Sequence, residues 1–186
     1  RSIPLVYITG TNGKTTSSRM LASILREAGF TVGMTSSDGV IVNQEWVEKG
    51  DWTGPGAARQ VLRHPAVTSG VLETARGGLM RRGLVFNGVN AAAVTNISND
   101  HLGTWGIHDL EDMALAKLTV GLGVQKGGSL VLNADCEPLR KVFEREADKM
   151  VAKPFWFSSK NKADIYLQDK KILSKEDGEI IDIREI

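Results

Sequence analysis

The 186-residue chain has a single cysteine, Cys136. An internal disulfide is therefore excluded, and such sparing thiol use fits a reducing compartment, so the expected location is cytoplasmic. No run approaches the ~20 apolar residues of a membrane span. No basic-then-apolar leader opens the chain, so neither a membrane nor export is indicated. A charge excess of one sign is lacking as well. Lys and Arg number 23 against 22 Asp and Glu, a formal charge of +1, so no global field gathers nucleic acid or an acidic membrane surface. Internal repeats and low-complexity segments are absent. So is an initiator Met, and Arg1 stands almost directly against the first apolar run, which points to a piece of a larger multidomain protein.

What is present is the composition of a globular domain. Hydrophobic residues make up 41% and charged residues 24%, enough for a core that needs no covalent staples. The length fits one domain over 1–186. The chain is organised around Gly10-Thr11-Asn12-Gly13-Lys14-Thr15-Thr16. The apolar run Ile3–Ile8 leads into it, and a helical pattern with Met20, Leu21, Ile24 and Leu25 on one face follows, stopped by Gly29. Strand, glycine loop, Lys-Thr and helix make a phosphate-binding loop. Its backbone N–H groups turn inward, Lys14 reaches the terminal phosphates and Thr15 offers a hydroxyl to Mg²⁺. Only two residues separate the glycines, against four in the usual pattern.

Strands are expected at Thr31–Thr35, Gly70–Thr74, Ala91–Ile97, Ser129–Leu132 and Phe155–Phe157, with a hairpin through Val40–Val42 and Trp46–Val47. Helices are expected from Gly54 to Leu62, from Leu110 to about Leu122 behind an Asp109 cap, and after Pro138. This alternation predicts a three-layer α/β domain with a mainly parallel sheet. From about Asp164 to 186 the texture changes to a small antiparallel β meander, with a turn at Asp177-Gly178.

In open parallel sheets ligands gather at the carboxyl ends of strands. The polar clusters Gly10–Thr16, Ser36–Asp38, Glu73–Arg76, Asn96–His101 and Asn133–Asp135 would share that edge. Glu73 ends a buried-strand pattern where a phosphate-loop protein needs an acid for its metal, and Arg76-Gly77-Gly78 reads as a polar loop beside it. His101 follows Asp100 in a strand-end loop and can ligate a metal as neutral imidazole. Lys117 falls beside Met113 and Ala116 on the next helix. Read from the residues alone, it is a lysine whose stem lies on apolar surface.

Several segments together resemble the central ATPase domain of the Mur ligase superfamily. They are Ile8–Thr16, Leu72–Gly78, Thr95–Gly103 and Leu132–Asp135, and they extend over nearly the whole chain. Ser37-Asp38-Gly39, Gly50–Pro55 and the Glu73–Gly78 stretch are most similar to the carboxyl-terminal, Mur-ligase-like half of cyanophycin synthetases. The resemblance implies an ATP- and Mg²⁺-dependent amide ligase working through an acyl phosphate, adding arginine to a poly-aspartate backbone. It implies an amino-acid or polypeptide acceptor, further domains on both sides, and a parent enzyme that is a homo-oligomer. A lone central domain would be inactive. By position, Gly10, Thr11, Asn12, Gly13, Lys14, Thr15 and Thr16 match the family's nucleotide loop, with Asn96 at the adjoining strand end. Thr15, Glu73, His101 and Lys117 match its metal and catalytic positions, Lys117 being the lysine that relatives often carry carbamylated. Ser17 and Ser18 depart mildly from the family's threonines.

Poly-γ-glutamate synthetase and folylpolyglutamate synthase share the loop and remain alternatives within the ligases. A nucleotide-binding module of GTPase type is the alternative outside them. It rests on a literal DxxG at Asp100–Gly103 and a literal NKxD at Asn161–Asp164.

Overall fold

The structure is a computed structural model that describes residues 3–99, 103 and 106–185. Strand β1 (Leu5–Thr9) runs into the glycine loop, and α1 (Lys14–Glu27) returns over the sheet to β2 (Val32–Thr35). A hairpin follows, β3 (Gly39–Val42) and β4 (Glu45–Lys49). Its turn residues Asn43 and Gln44 both have positive φ, 48° and 78°, the backbone twist that two-residue hairpin turns favour. Next come α2 (Pro55–Arg63), β5 (Ser69–Glu73), α3 (Arg76–Arg82), β6 (Val89–Val94) and α4 (Leu110–Leu118). The chain continues through β7 (Val124–Asn133), α5 (Glu137–Glu146), β8 (Lys153–Ser158), β9 (Ile165–Gln168), β10 (Lys171–Ser174) and β11 (Gly178–Asp182).

The eleven strands of the described residues join one sheet in the order β11-β10-β9-β8-β7-β6-β1-β5-β2-β3-β4. From β2 to β9 every neighbouring pair is parallel, and the pairs beyond, β2–β3, β3–β4, β9–β10 and β10–β11, are antiparallel. The expected antiparallel meander is present in β9–β11. It continues the main sheet through β9, which pairs with β8 at Phe157↔Ile165 and Ser158↔Tyr166. The order also reverses at β1, because the chain first moves to the β5–β2 side and then returns to β6 on the other. A crevice opens where neighbouring loops diverge in this way, at the carboxyl end of β1.

The central strands read as near-continuous apolar runs because helices cover them from both sides. On one face Tyr7, Leu72, Ala92, Leu130 and Leu132 pack with Val61 of α2, Met113 and Leu118 of α4 and Leu139 and Val142 of α5. On the other, Ile8, Val32, Met34 and Val71 pack with Ala22 of α1. Each fully buried branched or aromatic side chain contributes about 1.5–3 kcal/mol by transfer from water.

One expectation is corrected. Arg76-Gly77-Gly78 is not a loop but the first turn of α3. Glycine-rich local sequence argues against a helix, yet here close packing requires it. A Cβ on Gly78 would lie 3.3 Å from the Thr53 carbonyl oxygen and 3.6 Å from Gly54 Cα, so only a bare backbone lets α3 approach the start of α2.

Candidate functional site

The site is built where β1 ends. Gly10 has φ of 150°, and a Cβ there would lie 1.8 Å from Thr95 Oγ1, so the loop passes the end of β6 with no room for a side chain. Gly13, at φ of 79°, turns the chain into α1 and leaves that helix without a side-chain cap and without an acid in its first turn. The first-turn N–H groups have no intrahelical acceptor, and the helix dipole adds about half a positive charge there. An anion is the natural partner for such an end.

Beside it stands a buried carboxylate. Glu73, the last residue of β5, is 2% exposed. Its Oε2 accepts the Thr15 hydroxyl at 2.8 Å, and Thr15 Oγ1 lies 3.4 Å from Ser37 Oγ. Burial pushes the Glu73 carboxyl above its ordinary value. The Thr15 hydrogen bond and the Lys14 charge pull it back, while Asp38 and Asp51 add to the rise. A desolvated carboxylate with a hydroxyl at its side is a fitting donor pair for a hard cation. Mg²⁺ commonly takes one or two protein oxygens and completes its shell with phosphate and water. Among the described residues no group of three or more His, Cys, Asp or Glu could hold a metal, so remaining ligands would have to come from elsewhere.

A cleft of about 160 Å³ opens over the loop, lined by Gly10, Lys14, Arg76, Gly77, Met113 and Lys117 among others. Three cationic side chains thus converge on one small space. Lys14 Nζ donates to the Thr11 carbonyl at 2.8 Å. Lys117, 4% exposed on α4, donates to the Gly10 carbonyl at 3.0 Å. Its stem does not run to the surface. The helix carries it inward, behind an Asp109 cap whose side chain accepts from the Asp112 N–H at 2.8 Å.

The other side of the loop is laced to the segment after β6. Thr11 N–H donates to the Asn96 carbonyl at 3.0 Å, and Asn12 N–H donates to Asn96 Oδ1 at 2.9 Å. Asn96 Nδ2 and Thr95 Oγ1 both donate to the Asn12 carbonyl, at 2.9 and 2.7 Å. Two of the loop N–H groups expected to cradle phosphate therefore face the protein, because a loop this short is closed by a neighbouring strand end. The donors left for an anion begin at the start of α1.

The family model for the Mur ligase middle domain matches residues 8–186. The chain belongs to this family. Cyanophycin synthetase from Synechocystis sp. is 48% identical to this middle domain over 156 residues, 84% of the chain and 17% of the relative. The same enzyme from Crocosphaera subtropica is 46% identical over 150 residues, 81% of the chain and again 17% of the relative. UDP-N-acetylmuramoylalanine–D-glutamate ligase from Nitrosospira multiformis is 33% identical over 74% of the chain and 26% of its own length. The chain thus spans about a sixth of the cyanophycin synthetases it matches. Among solved structures, a UDP-N-acetylmuramoyl-L-alanyl-D-glutamate–2,6-diaminopimelate ligase superposes with a TM-score of 0.77 at 22% identity, covering 96% of this chain and 38% of that one. A bifunctional folylpolyglutamate synthase/dihydrofolate synthase with Mn, AMPPNP and L-glutamate bound gives 0.72 at 19% identity, covering 93% and 47%. At these identities the two structures speak for the fold.

Of the sequence-predicted residues, the middle domain brings Gly10–Thr16, Glu73, Asn96 and Lys117 to one place. His101 lies outside the described residues, as does Asp100. The NKxD stretch has a structural role: Asp164 Oδ2 accepts the Trp156 N–H at 2.8 Å. Lys162 and Asp164 line a different cleft, about 850 Å³, between α5 and β9–β10. Arg76 and Ser37 carried no individual role in the sequence reading. Both lie in strand-end clusters, which was the available signal.

Proposed function

We propose that this Mur ligase middle domain binds ATP with Mg²⁺ and serves an amide ligase of the cyanophycin synthetase type. The observation that carries the reading is the Thr15–Glu73 pair beside the uncapped start of α1, with Lys14, Arg76 and Lys117 around the adjoining cleft. The identity to cyanophycin synthetases supports the choice within the ligases. The relatives' greater length supports a parent enzyme with further domains, which supply the amino-acid and polypeptide sites.

In this reading α1 N–H groups and Lys14 hold the β- and γ-phosphates, and Thr15 and Glu73 hold Mg²⁺. A cation held by these two residues would supply positive charge to offset the negative charge that builds on the phosphoryl oxygens. Arg76 lines the same cleft and would orient the anionic groups that meet there. The reaction class is carboxylate activation. An acceptor carboxylate oxygen bonds to the γ-phosphorus as the bond to ADP breaks. The incoming amine then adds to the acyl carbon, gives up a proton and expels phosphate. For a cyanophycin-type enzyme the acceptor is the aspartate side chain and the amine is that of arginine. Lys117 is assigned as the lysine that takes up carbon dioxide as a carbamate, and His101 as a further metal ligand, both on family resemblance.

Calorimetry with a Mg²⁺–ATP analogue tests the assignment. Lys14→Ala is expected to weaken binding by roughly ten- to a hundredfold, the worth of a charge-assisted hydrogen bond, with the fold intact because Lys14 contributes nothing to the core. Unchanged affinity would refute the phosphate-loop reading. In the full-length protein, ADP release that requires arginine and a poly-aspartate primer is the expected outcome. Turnover with glutamate alone would move it to the polyglutamate ligases.

A further inference from the structure

The loop between Gly10 and Gly13 is two residues long and cannot close on itself. Thr11 and Asn12 still carry two N–H donors and two carbonyl acceptors that need partners. Asn96 meets three of these needs. Its backbone carbonyl takes the Thr11 N–H at 3.0 Å, its Oδ1 takes the Asn12 N–H at 2.9 Å, and its Nδ2 donates to the Asn12 carbonyl at 2.9 Å. The side-chain amide thus pairs with both polar backbone groups of one residue, as an adjacent strand would. Its neighbours reinforce the grip: Thr95 Oγ1 donates to the same Asn12 carbonyl at 2.7 Å, and Ser98 N–H donates to Thr11 Oγ1 at 3.1 Å. The β6 end is itself held, since Asn133 Nδ2 on β7 donates to the Thr95 carbonyl at 2.8 Å.

We infer that Asn96 is a positioning residue that locks the phosphate loop in its binding-ready shape, acting on the nucleotide through Asn12 rather than by contact. This rests on the phosphate-loop reading above. A ligand-facing Asn96 would leave the Asn12 N–H and carbonyl without these partners. The role demands an amide. A carboxylate in the same place sets a second acceptor against the Asn12 carbonyl, whereas a protonated carboxyl restores one acceptor and one donor in the same two positions.

That difference supplies the test. Binding of ADP with Mg²⁺ is measured by calorimetry from pH 8 to pH 4, where an ordinary aspartate is about half protonated, in the full-length protein and in Asn96→Ala and Asn96→Asp. Each variant's affinity is expressed relative to the unsubstituted protein at the same pH, which cancels titration of Glu73 and of the ADP phosphates. Among the described residues, Lys14 from α1 and Lys117 from α4 each donate to a loop carbonyl. From the β7–α5 turn, Asp135 is held ionised, against the effect of burial, by hydrogen bonds from Ser158 and Ser159. Groups common to the three proteins cancel in this ratio, so the introduced carboxyl is the group whose protonation is read.

Both variants are expected to bind about tenfold more weakly at pH 8, the scale of a lost hydrogen bond that leaves a partner unpaired. Asn96→Asp is expected to recover as pH falls, while Asn96→Ala stays weak. Recovery of the acid variant alone is something general loss of structure would not produce. An Asn96→Asp deficit parallel to that of Asn96→Ala at every pH overturns the role, as does full affinity in Asn96→Ala. Failure of the unsubstituted protein to bind ADP overturns the phosphate-loop reading, and this inference with it.

Discussion

Glu73 is a carboxylate that water scarcely reaches, held by one hydroxyl. Its folded-state pKa lies above the unfolded value, chiefly through burial. Between the two values the folded chain binds more protons than the unfolded one. The associated stability is complete below the unfolded value and is lost as pH rises through the folded one. Without divalent cation the domain should therefore lose stability on passing upward through that window. Mg²⁺, by favouring the ionised form, should remove the trend. Glu73→Gln keeps an acceptor for the Thr15 hydroxyl without the charge. Its metal-free stability at neutral pH should exceed that of the parent, while Mg²⁺ no longer stabilises it. Urea unfolding with chelator and with Mg²⁺ reads both effects. Gly10 sets a steric limit at the same scale. Gly10→Ala should cost about 3 kcal/mol in the same unfolding assay, because a Cβ 1.8 Å from Thr95 Oγ1 forces the loop and β6 apart. Gly10→Ala should also weaken nucleotide binding.

At the scale of the element, α4 and α3 matter most, because each carries a cation to the cleft. The Asp109 side chain caps α4 on the Asp112 N–H. Asp109→Ala should cost about 1 kcal/mol, the usual worth of an N-cap, visible as a lower urea midpoint at unchanged slope. α3 depends on contact rather than propensity. Gly78→Val adds a branched side chain where even a Cβ sits 3.3 Å from the Thr53 carbonyl. It should tilt α3 away from α2, displace Arg76 and lower phosphate affinity. Gly77→Ala meets only the flexible end of Arg81 and should be tolerated.

For the whole molecule, stability is unevenly spread along the sheet. β1, β5 and β6 are largely buried between helices, whereas β9 meets β8 at two residue pairs and β11 is exposed along most of its length. Elements with few buried contacts open at lower free energy. Amide hydrogen exchange should therefore be fastest in β10 and β11 and slowest in β1 and β6. Equal protection across the sheet would show that the meander unfolds with the core.

Local pattern was enough to reveal the glycine loop between β1 and α1, the acid at the end of β5 and the alternation that dictates a mainly parallel sheet. Each depends on residues close in sequence: glycines with Lys14-Thr15, an apolar run ending on Glu73, an apolar stripe after Asp109. Three features were decided only when distant segments met. Gly78 sits as a bare residue inside a helix because α3 passes the Thr53–Gly54 backbone. Lys117 took its head inward because its helix lies against the loop, so the Gly10 carbonyl could replace water. Thr11 and Asn12 gave their N–H groups to Asn96, more than eighty residues away. Sequence by itself determined which chemical groups reach the carboxyl edge, since that follows from strand ends. Tertiary structure decided which of them line the open cleft and which face each other, since buried polar groups pair with whatever the fold places within hydrogen-bond reach.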